Sequence, residues 1–210
     1  DERPARVCYN GIDTEFYKPI SVKRSDRYLF LARFSTIKGP DLAIQACLNA
    51  GIGLDLIGDT TITGEPDYFQ QCMKLAEKHS PNWDSDKGKQ IKVIGGVSRG
   101  ETVYWYSQAR GMLHPNARFR EPLGLAPLES QACGTPCAAW DRGAMRETID
   151  NGKSGFLVKS LEEMTNLLRN NAFDALDREY CRKWALGFSL EHMVNRYNDL
   201  CEEAVKTGGW

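Results

Sequence analysis

The sequence has no excess of charge of either sign. Its 210 residues carry 27 Lys plus Arg against 28 Asp plus Glu, a net charge of −1. That balance argues against a protein whose main partner is nucleic acid, although it leaves room for a local basic patch. There is no apolar run long enough to cross a bilayer and no pattern of a secretory leader. There is also no cysteine spacing suited to a metal. Of seven cysteines the closest pair is Cys133 and Cys137, and no His or Cys follows at zinc-ligand distance. Most of the cysteines stand in apolar runs, such as Ala46-Cys47-Leu48 and Ala132-Cys133, so buried, reduced thiols in a cytoplasmic protein are expected. Internal repeats, low-complexity segments and breaks in composition are missing too, which leaves one domain. With 41% hydrophobic residues it is large enough for a substantial core.

What is present is an alternation. Apolar runs at residues 28–32, 53–57, 90–94, 111–114, 137–140 and 155–158 predict six short strands, each buried on both faces. Helical patterns lie between and after them. One starts at Pro40, one covers 67–79, and one runs from a Ser98/Glu101 capping box to 109. Others cover 145–150, 161–169, 174–186 and 190–206, the last behind a Ser189 cap. Residues 81–88 read as a polar loop in which Trp83 has no evident partner. Strands alternating with helices predict an α/β fold: a three-layer parallel sheet of about six strands with helices on both faces. In such sheets ligands bind beyond the carboxyl ends of the strands, where the strand order reverses.

The most informative stretch is 121–136, EPLGLAPLESQACGTP. Pro122 and Gly124 keep Glu121 in a loop. Pro127 is tolerated in a first helical turn, so a helix should begin near Leu125, carry Glu129 about a turn inside, and end at Gly134-Thr-Pro136. Its N-terminus is an anion site, because the first N–H groups are unpaired and the dipole is positive there. Two carboxylates beside it suit a polyhydroxylated ligand that also carries phosphate. Two glutamates alone fit a dipole-complementing Glu129 and a solvated Glu121 better; the full string shifts the balance.

The full string resembles the retaining glycosyltransferases of family 4, which have the two-domain GT-B fold. The donor-binding half of that family carries a glutamate, a Phe-Gly-Leu-like turn, a second glutamate and Ala-x-x-Cys-Gly-Thr-Pro-Val. In this sequence Glu121, Leu123-Gly-Leu125, Glu129 and Ala132-Cys-Gly-Thr-Pro-Cys137 stand in those places, with Leu123 for the aromatic and Cys137 for the valine. Ala32-Arg33 with Lys38-Gly39 matches the family's G-R-x-x-x-x-K-G, Ala replacing the first glycine. Residues 7–13, with Asn10-Gly11, resemble the hinge between the two domains.

The resemblance implies a Rossmann-like C-terminal half of a GT-B enzyme: residues 1–20 a linker, 21–210 the donor domain, and the N-terminal acceptor domain absent from the chain. It implies transfer of a hexose from a nucleotide-diphosphate sugar, such as a UDP- or GDP-sugar, with retention, and an isolated domain that turns nothing over. Arg33 and Lys38 would hold the diphosphate, whose charge grows as the sugar leaves, and Glu121 the transferred sugar. Gly124, Leu125 and Ala126 would offer backbone N–H groups to phosphate and sugar. Glu129 would bind the ribose and the Val97 main chain the base. A plain diphosphate should then be indifferent to Glu121. No metal or other cofactor is implied, nor a nucleic-acid partner. The full enzyme is expected to be cytoplasmic, with peripheral membrane association left open. Gly124 also reads as a simple turn glycine and Val97 as a core residue. His114 reads as a satisfied strand-end histidine, and Arg118 and Arg120 as solvated loop charges. The α/β pattern also admits a GT-B-type sugar-nucleotide epimerase or a non-catalytic module that binds a nucleotide or a protein.

Overall fold

The structure is a computed structural model that describes residues 6–59 and 65–208. The first five residues of the expected linker, and residues 60–64 and 209–210 of the expected donor domain, lie outside the described residues.

The six predicted strands form one parallel sheet: β1 Tyr28–Leu31, β2 Leu54–Ile57, β3 Ile91–Gly95, β4 Met112–His114, β5 Cys137–Trp140 and β6 Gly155–Val158. Their order is β3-β2-β1-β4-β5-β6, so the chain reverses direction across the sheet between β1 and β4. Side chains alternate between two cores. Tyr28, Phe30, Leu54, Leu56, Leu113 and Ala138 face α1 (Pro40–Ala50), α2 (Pro66–Ala76) and α6 (Leu161–Arg169). Leu29, Ile57, Met112, Cys137 and Ala139 face α3 (Arg99–Gln108), α4 (Leu125–Ala132) and α5 (Met145–Thr148). This is why most strands are apolar at nearly every position: a sheet covered on both faces leaves little of itself to water; the edge strand β3 departs from the expectation, with Val93 and Ile94 exposed.

One buried charge interrupts that rule. Asp55, inside β2, is buried and accepts from Arg27 Nε at 2.7 Å, while Arg27 Nη2 reaches the carbonyls of Leu54 and Gln90. A charge buried this deeply is tolerated only when paired and hydrogen-bonded.

Several expectations need correction. The predicted helix 174–186 is two elements, a 3-10 turn at Ala172–Ala175 and α7 at Arg178–Leu186. Between them Asp177 is non-helical and accepts from Glu179 N at 2.8 Å, so its side chain starts a new helix rather than continuing an old one. Helix α2 stops at Ala76, short of His79. Trp83 does have a partner, donating Nε1–H to the Gly88 carbonyl at 2.7 Å. The apolar stripe of α8 (Leu190–Thr207) is not core: Leu200 is buried, but Val194, Tyr197 and Cys201 are exposed. All seven cysteines are free; five are buried, Cys8 is half-buried and Cys201 is on the surface.

The segment after the hinge-like turn is packed onto the domain. Ile12 and Tyr17 are buried, Ile12 N donates to the Phe188 carbonyl at 2.8 Å, and Arg182 donates to the carbonyls of Thr14 and Tyr17.

Candidate functional site

The order reversal places the loops that follow β1 and β4 side by side, and their backbones touch. Gly39 has φ +66°, and a Cβ there would lie 2.4 Å from the Pro115 carbonyl oxygen, so only glycine fits. The Glu121 loop is backed in turn by the turn after β5. Ala144 N donates to the Glu121 carbonyl at 2.9 Å, and Gly143 (φ +65°) leaves no room for a Cβ, which would stand 2.4 Å from that oxygen. The fully buried Asn116 ties the same loop down, accepting from Trp140 N and donating to the Arg142 carbonyl.

Within this frame the β1 loop delivers Lys38 to Glu121. Lys38 Nζ lies 2.6 Å from Glu121 Oε2, and the two side chains are 16% and 12% exposed. His114, the last residue of β4, puts Nε2 3.5 Å from the same oxygen and is almost wholly enclosed. Burial alone would raise the Glu121 carboxyl, but the close approach of His114 and the hydrogen bond and charge of Lys38 outweigh it and hold it down to about 2. Burial holds the His114 imidazole below its usual value; Glu121 pulls it up and the Lys38 charge pushes it down again. The cluster at neutral pH is therefore one cation, one anion and one neutral imidazole.

Arg33, earlier in the β1 loop, is exposed and has no side-chain partner among the described residues. Arg118 is otherwise engaged. It forms a two-pronged ion pair with Asp41 in the first turn of α1, and Tyr68 donates to the same carboxylate at 2.6 Å. Arg118 is thus a structural clamp between the β4 loop and α1, not a solvated loop charge.

Helices α1 and α4 follow the two strands at the reversal. Both begin at a left-handed glycine, Gly39 and Gly124, with no side chain capping the first turn. By contrast α3, α6, α7 and α8 are closed by Ser98, Ser160, Asp177 and Ser189. Gly124 has φ +85°, as a glycine cap requires; Leu125 beside it is exposed and Ala126 half-buried. The first N–H groups of α4 thus face the Glu121 loop without a built-in acceptor.

Glu129, one turn into α4, sits in a different environment. It is half-buried, and Oε2 accepts from the hydroxyl of Tyr106, a fully buried residue of α3, at 3.1 Å. Burial raises its carboxyl, against hydrogen bonds from Tyr106 and Tyr17 and the Arg99 charge. The two glutamates of one motif are therefore pushed in opposite directions. Val97, just before the Ser98 cap of α3, is half-buried against the second core.

The structure thus brings Lys38 and Glu121 into contact, puts Arg33 in the loop that carries Lys38, and places Glu129 in the helix that Glu121 leads into. Val97 follows the edge strand β3 and packs against the same core that α4 covers. Sequence reasoning missed the partners: His114 is buried but its Nε2 has no hydrogen bond among the described residues, and the tyrosines on Glu129 gave no signal beyond their place in the pattern. An Asp-x-Asp triplet does occur, Asp84-Ser85-Asp86. It lies before β3, at the opposite end of the strands, with Asp84 Oδ1 accepting from Asp86 N. Among the described residues no three His, Cys, Asp or Glu side chains converge as metal ligands.

A family model described as glycosyl transferases group 1 matches residues 12–184. The chain belongs to that family. This group 1 glycosyl transferase chain is 27% identical over 234 residues to D-inositol 3-phosphate glycosyltransferase 1 of Catenulispora acidiphila, covering 98% of this chain and 53% of that one. The Frankia alni enzyme described as D-inositol 3-phosphate glycosyltransferase is 28% identical over 181 residues, 75% of this chain and 42% of that one. The chain therefore spans about half the length of the curated relatives it matches. Among solved structures, the Anabaena protein HepE in complex with UDP and glucose superposes with a TM-score of 0.75 at 20% identity, over 94% of this chain and 56% of that one. Sucrose-phosphate synthase from Thermosynechococcus elongatus gives 0.78 at 19%, over 96% and 53%. The six-stranded Rossmann-like sheet is thus that of one half of GT-B glycosyltransferases. No helix among the described residues is long and apolar enough to cross a membrane.

Proposed function

We propose that this chain is the donor-nucleotide domain of a retaining glycosyltransferase of family 4, which moves a hexose from a nucleotide-diphosphate sugar to an acceptor. The observation that carries this reading is the site at the order reversal. A cation held by a carboxylate, Lys38 on Glu121, and an exposed Arg33 without a side-chain partner among the described residues stand in loops beside two glycine-capped helix N-termini.

That arrangement suits a ligand with a diphosphate at one end and hydroxyls at the other. Breaking the bond between the anomeric carbon and the diphosphate oxygen leaves the electron pair, and a growing negative charge, on the diphosphate. Arg33 receives that charge through two parallel bonds, Lys38 as a point charge, and the N–H groups of Gly124, Leu125 and Ala126 from the helix end. Glu121 accepts from hydroxyls of the transferred sugar, Glu129 from the ribose, and the Val97 main chain meets the base. The protein's own cations carry the leaving-group charge in this reading, with no metal invoked. The second domain and the acceptor site belong to the rest of the enzyme. UDP-sugars are the first donors to test, because HepE is described in complex with UDP and with UDP-glucose.

The test is calorimetry of this chain with UDP, GDP and ADP and their parent nucleosides. One diphosphate should bind with a dissociation constant on the order of 0.1–1 mM, since the ligand buries one face only, roughly 4–5 kcal/mol. Its nucleoside should bind more weakly by about tenfold or more, the equivalent of one charge-assisted bond. Equal affinity for nucleoside and diphosphate would mean that Arg33 and Lys38 do not hold the diphosphate.

A further inference from the structure

We infer that His114 is a positioning residue for Glu121: when a diphosphate draws Lys38 away, His114 takes over as the hydrogen-bond donor to Glu121 Oε2 and keeps the other carboxylate oxygen turned to the sugar. This rests on the donor-site reading above.

Lys38 occupies Oε2 at 2.6 Å. His114 Nε2 stands behind the same oxygen at 3.5 Å, too far for a good hydrogen bond, and it is buried with no other partner among the described residues. Buried polar atoms without partners are uncommon and call for a reason. Water does not reach this nitrogen, so a ligand cannot meet it directly, and it acts through Glu121 or not at all. Glu121 Oε1 has no partner among the described residues, which leaves it free for a ligand.

The cation paired with Glu121 is the one the diphosphate needs. Once Lys38 turns to phosphate, an enclosed carboxylate is left without its cation, and losing a partner is costly for a buried charge. A shift of roughly half an ångström brings His114 into hydrogen-bonding range. The titratable groups facing the imidazole are Lys38 from the β1 loop and Glu121 from the β4 loop. Departure of Lys38 removes the positive neighbour that disfavours a proton there, so the exchange strengthens the new bond.

The test uses His114→Gln, whose amide nitrogen can reach the place of Nε2, and His114→Phe, which fills the space without a donor. The probes are UDP and UDP-glucose, or the GDP pair if the chain prefers guanine, with Lys38→Ala as the control. His114→Phe should weaken the plain diphosphate by about threefold, because Glu121 is left without a donor once Lys38 turns to phosphate, and His114→Gln should stay within about twofold of the parent protein. His114→Phe should bind the sugar-bearing ligand about tenfold or more weakly, and His114→Gln should recover most of that loss. In the parent protein the His114 ring nitrogen resonances should move when the plain diphosphate is added. Unchanged sugar-nucleotide binding by a folded His114→Phe, equal loss of both ligands, failure of His114→Gln to recover, or a silent imidazole each overturns the inference. The imidazole signal decides the matter if the Phe variant does not fold. If Lys38→Ala weakens diphosphate binding while the His114 variants change nothing, the inference alone has failed. If Lys38→Ala has no effect, the donor-site reading has failed.

Discussion

Glu121 and Lys38 neutralise one another, so removing the glutamate's charge should strengthen the binding of a plain nucleoside diphosphate. The pair is 2.6 Å apart and both side chains are mostly enclosed, so solvent screens it little. A diphosphate that recruits Lys38 must first take it from Glu121. Glu121→Gln keeps the shape and removes the competing charge. A charge-assisted hydrogen bond contributes roughly 1.5–3 kcal/mol. Part of it is offset because the freed ammonium is itself hydrated, so a net gain of about 1–2 kcal/mol is expected, a factor of roughly 5–30 in affinity. The sugar-bearing ligand should gain less, or lose, because it forfeits its contact with the carboxylate. Calorimetry of the parent protein and the variant with UDP and UDP-glucose gives the four constants. A Glu121→Gln protein that binds UDP no better than the parent would show that Lys38 is not withheld from phosphate, and the reasoning would fall.

Arg33→Ala and Lys38→Ala should each weaken diphosphate binding by about 1.5–3 kcal/mol and leave the nucleoside nearly unaffected, with the double variant less than additive, all read by calorimetry. Glu129→Ala should weaken plain and sugar-bearing nucleotide alike, by roughly 1–3 kcal/mol, and erase any preference for ribose over deoxyribose in competition binding. Acid should destabilise the fold in two steps. Glu121 is held at about 2 against an ordinary 4.5, so its contribution is complete above 4.5 and lost as pH falls towards 2. His114 lies below its ordinary 6.5, so folding favours the neutral ring, a contribution complete above 6.5 and lost as pH falls below that. Urea unfolding from about pH 7 to about pH 3 should show stability declining throughout, and Glu121→Gln should flatten the decline below the ordinary glutamate range.

The strands were legible because a parallel sheet buries both faces, and a run such as Tyr28-Leu-Phe-Leu has few other uses. The Ser98–Glu101 capping box was legible as a local pattern, and the structure contains it. What involved distant residues was not. Nothing near Asp55 in sequence says that Arg27 satisfies it, and the helix predicted across 174–186 breaks because Asp177 prefers to cap. The stripe on α8 has core periodicity yet faces outward, since periodicity tells which residues share a face but not what covers it. In the site, the motif located both glutamates and their loop and helix settings. It did not reveal that Glu121 is already paired with Lys38, which is why a plain diphosphate should respond to Glu121 rather than be indifferent to it. His114 looked satisfied because strand-end histidines usually are; its orphaned nitrogen is visible only once the β1 and β4 loops meet.

The most direct test of the central claim is an amide chemical-shift titration of the isotope-labelled chain with UDP, GDP and ADP. With the diphosphate that binds, the largest changes should fall on residues 33–39 and 121–129, the loops and helix starts around the order reversal, and on residues 97–99 at the start of α3. Changes concentrated instead on α8 or in the groove between α2 and β3, or no response to any of the three, would contradict it.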